Sequence, residues 1–186
     1  MNRRYYAMAF MLVTVLLFSI PAFAKVSSMQ LFFLVKQAFP EASEVNIFIS
    51  KANLAEEKDK IARATVQFQL KALIYDVDNA ADIGNGTKKI SDNSILIVYD
   101  DEVFANKTNK LYILSKCKEK KISLITSSMD YIQSGALLGY IEENSAKKII
   151  LNITHYDYLK EKFTNDVVQK IGVAEVIPPD FLTSAQ

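Results

Sequence analysis

The sequence predicts an α/β domain in three layers, a mostly parallel open sheet with helices on both faces. Three observations carry that expectation. From Val45 onward, short runs of β-branched and aromatic residues alternate with helical patterns of about ten residues, the order of strands joined by crossover helices. The clearest run, Ser94 to Tyr99, is apolar without alternation, as a central strand covered on both faces must be. Half of the 186 residues are hydrophobic and 11% are aromatic, enough for one substantial core.

The elements follow in order. Val26 to Phe39 is rich in Leu and Phe and stops at Pro40, which reads as a helix packed on the core. Val45 to Ile49 is the first strand. Asn53-Leu54-Ala55-Glu56 reads as an N-cap with Glu three positions on, opening a helix through Ile61. Thr65 to Leu70 fits either period, since Val66, Phe68 and Leu70 alternate after a helical pattern. Ala72 to Tyr75 is the second strand, ending in the polar Asp76-Val77-Asp78-Asn79. Gly84-Asn85-Gly86 is a turn signal, with neither the third glycine nor the preceding strand of a phosphate loop. Asn109 to Lys120 has helical periodicity, and Ile122 to Ile125 is a fourth strand. Ala136 to Ile141 and Ile149 to Ile153 are joined by a short polar stretch and predict a hairpin at one edge of the sheet. Helices are expected at Tyr156 to Phe163 and Asp166 to Ile171, and Pro178-Pro179 marks the end of ordered structure.

Ahead of this domain, Arg3 and Arg4 precede the apolar run Ala7 to Ile20, followed by Pro21 and Ala22-Phe23-Ala24. A positive n-region, an apolar core and a small-x-small site are the three parts of a secretory signal. The run is shorter than the roughly 20 residues of a spanning anchor, so cleavage is favoured over retention. The expected organisation is a cleaved signal at 1–24, one domain at 25–177 and a tail at 178–186, acting in the periplasm. No cysteine stands near the cleavage site to take a lipid. The formal charge is +1, and losing Arg3 and Arg4 lowers it by two, to −1. That balance gives no support for nucleic-acid binding, nor for a purely electrostatic hold on a membrane.

In an open parallel sheet, ligands meet the loops after the carboxyl ends of the strands. Those loops are Ser50 to Asn53, Asp76 to Asn79, Tyr99 to Glu102 and Thr126 to Tyr131. If a pocket lines this end, Asp76, Tyr99, Asp100, Ser127 and Ser128 are its candidate ligand-binding residues. Asp100-Asp101-Glu102 lacks the spaced ligands of a calcium loop, and an Asp before a helix is also a plain N-cap. Zinc needs several His or Cys ligands, and His155 and Cys117 are the only ones of their types. No Gly-x-Ser-x-Gly elbow accompanies His155. Neither a catalytic set, a metal site nor a cofactor is therefore expected. Cys117, at helical spacing with Ile113 and Leu114, reads as a buried small hydrophobe. Its neighbours Lys116 and Lys118 favour the thiolate and keep an intermolecular disulfide or a redox-sensing thiol as the alternative.

Ser94 to Tyr99 with its following helix, then Ser134-Gly135-Ala136-Leu137-Leu138-Gly139-Tyr140, then Ile150-Leu151-Asn152-Ile153 and the closing Glu175-Val176-Ile177, resemble the final lobe of type I periplasmic solute-binding proteins, in particular those serving ABC transporters. The layout is also similar to the YfiR-like periplasmic family. The first resemblance implies one lobe of a clamp that delivers a small molecule to a permease, and the chain has length for one such lobe. The second implies an inhibitory partner of a membrane-bound diguanylate cyclase that senses redox state through cysteines. With Cys117 alone, an internal disulfide switch is excluded. The resulting expectation is an exported, non-enzymatic binding or sensory module whose partner is an inner-membrane protein, a small molecule or a second copy of itself. The alternative is the substrate-binding component of an ABC importer, and a small exported hydrolase ranks below both.

Overall fold

A computed structural model describes residues 26–143, 146–179 and 181 of the chain. The signal at 1–24 and most of the tail lie outside the described residues. Helix α1 (Ser28–Ala38) starts after Ser27, whose N–H donates to Gln30 Oε1 at 2.9 Å. Strand β1 (Glu44–Ser50) is buried from Val45 onward. It runs straight into α2 (Lys51–Phe68), where the Ser50 hydroxyl accepts the Asn53 N–H at 3.3 Å. The N-cap is thus Ser50, not Asn53, and the helix passes Ile61 to end at Gln69, in the left-handed region at φ 51°. The segment that fits either period is helical up to Phe68.

Strand β2 (Lys71–Val77) leads to α3 (Ala80–Lys89), capped by the Asn79 carboxamide oxygen, which accepts from Ala81 N at 2.8 Å and Asp82 N at 3.2 Å. Gly84-Asn85-Gly86 lies inside this helix, correcting the expected turn. Gly86 serves close packing instead, because a Cβ there would sit 2.7 Å from Phe48 Cε1. Strand β3 (Ile95–Val98) is buried throughout and is followed by the short α4 (Glu102–Ala105) and by α5 (Lys107–Glu119). Strand β4 (Ser123–Thr126), α6 (Met129–Gln133), β5 (Leu138–Glu143) and β6 (Ala146–Asn152) come next.

A 3-10 turn (Asp157–Lys162) replaces the α-helix expected at Tyr156 to Phe163. Its flanking rings, Tyr156 and Phe163, are buried, so the segment is stretched between two anchors. Helix α7 (Asn165–Ile171) ends at Gly172, at φ 80°. Strand β7 (Val173–Ile177) is the last regular element among the described residues. Packing does not stop at Pro178-Pro179: Phe181 N donates to Pro178 O at 3.2 Å, and the Phe181 ring is buried in the core.

The seven strands form one sheet in the order β2-β1-β3-β4-β5-β6-β7. Pairs from β2 to β5 are parallel, β5 and β6 are antiparallel, and β7 lies parallel to β6. The hairpin forms as expected but is internal, because β7 pairs outside it through Ile150↔Glu175 to Asn152↔Ile177. Side-chain alternation sorts the core into two layers. Val45, Ile47, Ile49, Ile95, Ile97 and Tyr99 face α1, α2 and α7. Phe48, Leu96, Val98 and Leu124 face the layer of Ile83, Phe104, Ile113 and Tyr131. The expected three-layer α/β architecture is what forms.

One polar chain crosses the first layer. The Tyr99 hydroxyl donates to Ser28 Oγ at 2.7 Å, Ser28 donates to Glu57 Oε2 at 2.6 Å, and Lys60 Nζ pairs with Glu57 Oε1 at 2.8 Å. It fastens the first residue of α1 to the carboxyl end of β3 and to α2. Helix α1 therefore starts at the carboxyl end of the parallel strands.

Candidate functional site

Strand order reverses between β1 and β3: the chain leaves β1 toward β2 on one side and returns to β3 on the other. Crossovers diverging from neighbouring strands leave a crevice at their carboxyl ends, where open α/β sheets bind ligands. Here the crevice is organised by Asp101. Its Oδ1 accepts the Val103 N–H at 3.0 Å, capping α4, while Oδ2 accepts hydrogen bonds from Ser50 Oγ and Asn53 Nδ2. One carboxylate thus ties the β1–α2 junction to the β3–α4 junction.

Beside it, the Asp100 N–H donates to Ser127 Oγ at 3.3 Å, joining the ends of β3 and β4. Ser128 N donates to Thr126 Oγ1 at 3.1 Å and precedes α6. The Asp100 side chain is exposed, and Ser127 and Ser128 are half-buried. Farther along, Lys110, with a side chain only 11% exposed, reaches the exposed Asp130 at 2.5 Å. Across the crevice, Lys51 and Asp78 pair at 2.8 Å. Under α6, the Tyr131 hydroxyl donates to Phe104 O at 3.1 Å, and burial, then the charges of Cys117, Asp130 and Asp100, raise its pKa. This rim offers hydroxyls, carboxylates and two ammonium groups, the chemistry for orienting a small polar ligand.

Three of the five candidate residues, Asp100, Ser127 and Ser128, come together here. Tyr99 does not join them: alternation turns it to the α1 side with Ile95 and Ile97, it is 1% exposed, and burial raises its pKa. Asp76 is exposed on β2, on the far side of β1, where it lines a cavity of about 350 Å³ with Tyr75, Asp82 and Lys89. Ser50, Asn53, Asp101 and the Lys110–Asp130 pair complete the rim. Strand ends place Ser50, Asn53 and Asp101 in the right loops, but nothing in the sequence says that Asp101 would gather the other two.

Cys117 is buried, and its thiol is pushed up to about 12 by desolvation, so the small-hydrophobe reading describes it. His155 follows β6, which runs opposite to β5, and is therefore at the other end of the sheet from Asp100. It is exposed and lies against Gly135, where a Cβ would be 2.6 Å from His155 Cδ2. Among the described residues no cluster of three or more His, Cys, Asp or Glu side chains is arranged to hold a metal ion. None of the described helices is long and apolar enough to cross a membrane.

Neither a scan against protein-family models nor a search of curated proteins finds a match for this chain. Solved structures do match. A conserved domain protein from Vibrio cholerae aligns with a TM-score of 0.68 at 13% identity, over 82% of this chain and 61% of that one. An ABC domain from Streptococcus pneumoniae in complex with L-Trp aligns with a TM-score of 0.64 at 14% identity, over 80% and 61%. A substrate-binding protein with adhesive properties from Clostridium difficile, in a ligand-free open structure, gives 0.57 at 14% identity, over 80% and 56%. The fold is accordingly that of a substrate-binding-protein lobe, and the chain spans about three-fifths of the length of these neighbours.

Proposed function

We propose that this chain is an exported, non-enzymatic binding lobe that presents a small polar molecule to an importer of the ABC class. The observation that carries the reading is the polar rim at the strand-order reversal, where Asp101 joins Ser50 and Asn53 across β1 and β3, with Asp100 and Ser127 joined beside it at the end of β4. The fold shared with a substrate-binding protein and with an ABC domain in complex with L-Trp supports a small-molecule ligand. For the regulatory reading, a YfiR-like partner of a membrane-bound cyclase, a buried Cys117 offers no redox handle. A second copy facing this rim would be one way to enclose the ligand.

Thermal-shift titration of the chain with free amino acids, other small carboxylates and sugars tests the proposal. At least one should raise the melting temperature, and Asp100→Asn with Ser127→Ala should weaken its binding about tenfold, the worth of one or two hydrogen bonds. Cross-linking in envelope preparations should recover a permease. A chain that no panel member stabilises, and that captures a cyclase instead, would overturn the importer reading in favour of the regulatory one.

A further inference from the structure

We propose that the opposite, amino end of the sheet carries a second binding site, one for a small apolar molecule bearing a single carboxylate. That end holds a cavity of about 420 Å³, within the range of small-molecule pockets. Phe39, Ile95, Tyr158 and Leu159 supply its apolar surface, and Ser123 and Asn93 add short polar side chains from the starts of β4 and β3.

Two carboxylates, Glu41 and Glu44, and two lysines, Lys121 and Lys162, line the cavity, and Lys71, outside the lining, takes one of the carboxylates. Lys162 pairs with Glu41 and stands 4.5 Å from the centre of the Phe39 ring. Glu41 is held below the usual carboxylate range chiefly by its hydrogen bond from Lys162, so it stays ionised and paired. Glu44 is engaged by Lys71 at 3.0 Å. Lys121 has no salt-bridge partner among the described residues, and its ammonium lies 5.8 Å from the centre of the Tyr158 ring. Two carboxylates are matched by two lysines, and Lys121 remains to receive a third.

Lys121 also shares with Gln69 and Asn93 a left-handed backbone. Lys121 closes α5 in the left-handed region, at φ 54°, with Ile122 N donating back to Cys117 O at 2.8 Å. Glycine is the residue favoured at such a helix end, and a long side chain there is strained. The Tyr158 hydroxyl grips the Lys121 carbonyl at 2.9 Å while the lysine's own side chain approaches the Tyr158 ring. The Lys121 ammonium, without an ion-pair partner among the described residues, thus stands at the edge of a partly apolar cavity. A carboxylate on Lys121, with a ring or branched body against Phe39, Ile95 and Leu159, satisfies both features. This site stands independently of the rim at the carboxyl end.

NMR titration of the isotope-labelled full chain with benzoate, and with its uncharged isostere benzamide, tests the proposal. Saturable benzoate shifts are expected at the Asn93, Lys121 and Ser123 amides, with about tenfold weaker binding of benzamide. Lys121→Gly, which suits the left-handed backbone and keeps the fold, should weaken benzoate about tenfold, and Tyr158→Leu should weaken it as well. No saturable shift of these amides up to about 20 mM would overturn the proposal. So would equal affinity for benzamide, or unchanged benzoate affinity in Lys121→Gly.

Discussion

At Tyr99, Ser28 and Glu57, three side chains from distant parts of the chain share one buried set of hydrogen bonds. Tyr99→Phe removes only the hydroxyl at the end of that set and should cost about 1 kcal/mol in urea denaturation. Ser28→Ala removes two hydrogen bonds at once, the one from Tyr99 and the one to Glu57, and should cost more, about 1–3 kcal/mol. Neither change should alter ligand binding at the rim, since Tyr99 points away from it. That orientation was not legible, since a run apolar at every position does not say which face Tyr99 takes, and the sequence offers it as a pocket residue. Nor was the partner: Ser28 lies 71 residues away, and no local pattern encodes such a meeting. Cys117 gives a prediction with a sign. Its thiol titrates near 12 when folded against 9.0 for the free group, so its contribution is intact below about pH 9 and is lost as pH rises toward 12, by up to about 1.4 kcal/mol per pH unit. At pH 8, labelling by a thiol reagent should proceed only as fast as the chain opens.

Helix α3 shows how one residue type can act in two ways within a single element. Gly84 has open space around it, the nearest atom to a Cβ being Tyr112 Oη at 3.9 Å, whereas Gly86 lies against Phe48. Gly84→Ala should therefore stabilise by about 0.4–1 kcal/mol, through helix propensity and a less free unfolded chain. Gly86→Ala should destabilise by about 1–3 kcal/mol, because the Phe48 ring must move. Opposite changes in urea midpoint would verify the contrast. It also explains why Gly84-Asn85-Gly86 resembles a turn in sequence: the close approach to Phe48 that demands Gly86 exists only after folding. The extent of α2 was hidden differently, since Val66, exposed, and Phe68, packed against Phe33, mimic strand alternation at a helix end. Strands β1, β3 and β4 were plain because both their faces are buried. Strand β7, half-exposed at an edge, carries no comparable signal.

Across the whole molecule, burial is graded from the middle of the sheet outward. Strands β1, β3 and β4 lie inside both core layers, while β2 and β7 are the open edges. Native-state hydrogen exchange should show amides of the three inner strands exchanging only through global unfolding, with those of β2 and β7 released earlier. Equal protection across all seven strands would contradict this grading. The architecture was legible because alternation of strand and helix survives averaging over many residues. The rim was legible only as a set of loops, since Asp101 selects its partners through geometry.

The fastening of Ser28 to Tyr99 also decides how the protein can be handled. Because α1 starts at the carboxyl end of β3, any fusion or surface tether placed ahead of Val26 is delivered to the rim and competes with whatever docks there. Strand β7, running with β6 and against β1 to β5, releases the chain at the opposite end. A protein immobilised at Ile177 would hold the rim outward, toward ligand or permease. One held at Ser28 would turn it toward the support.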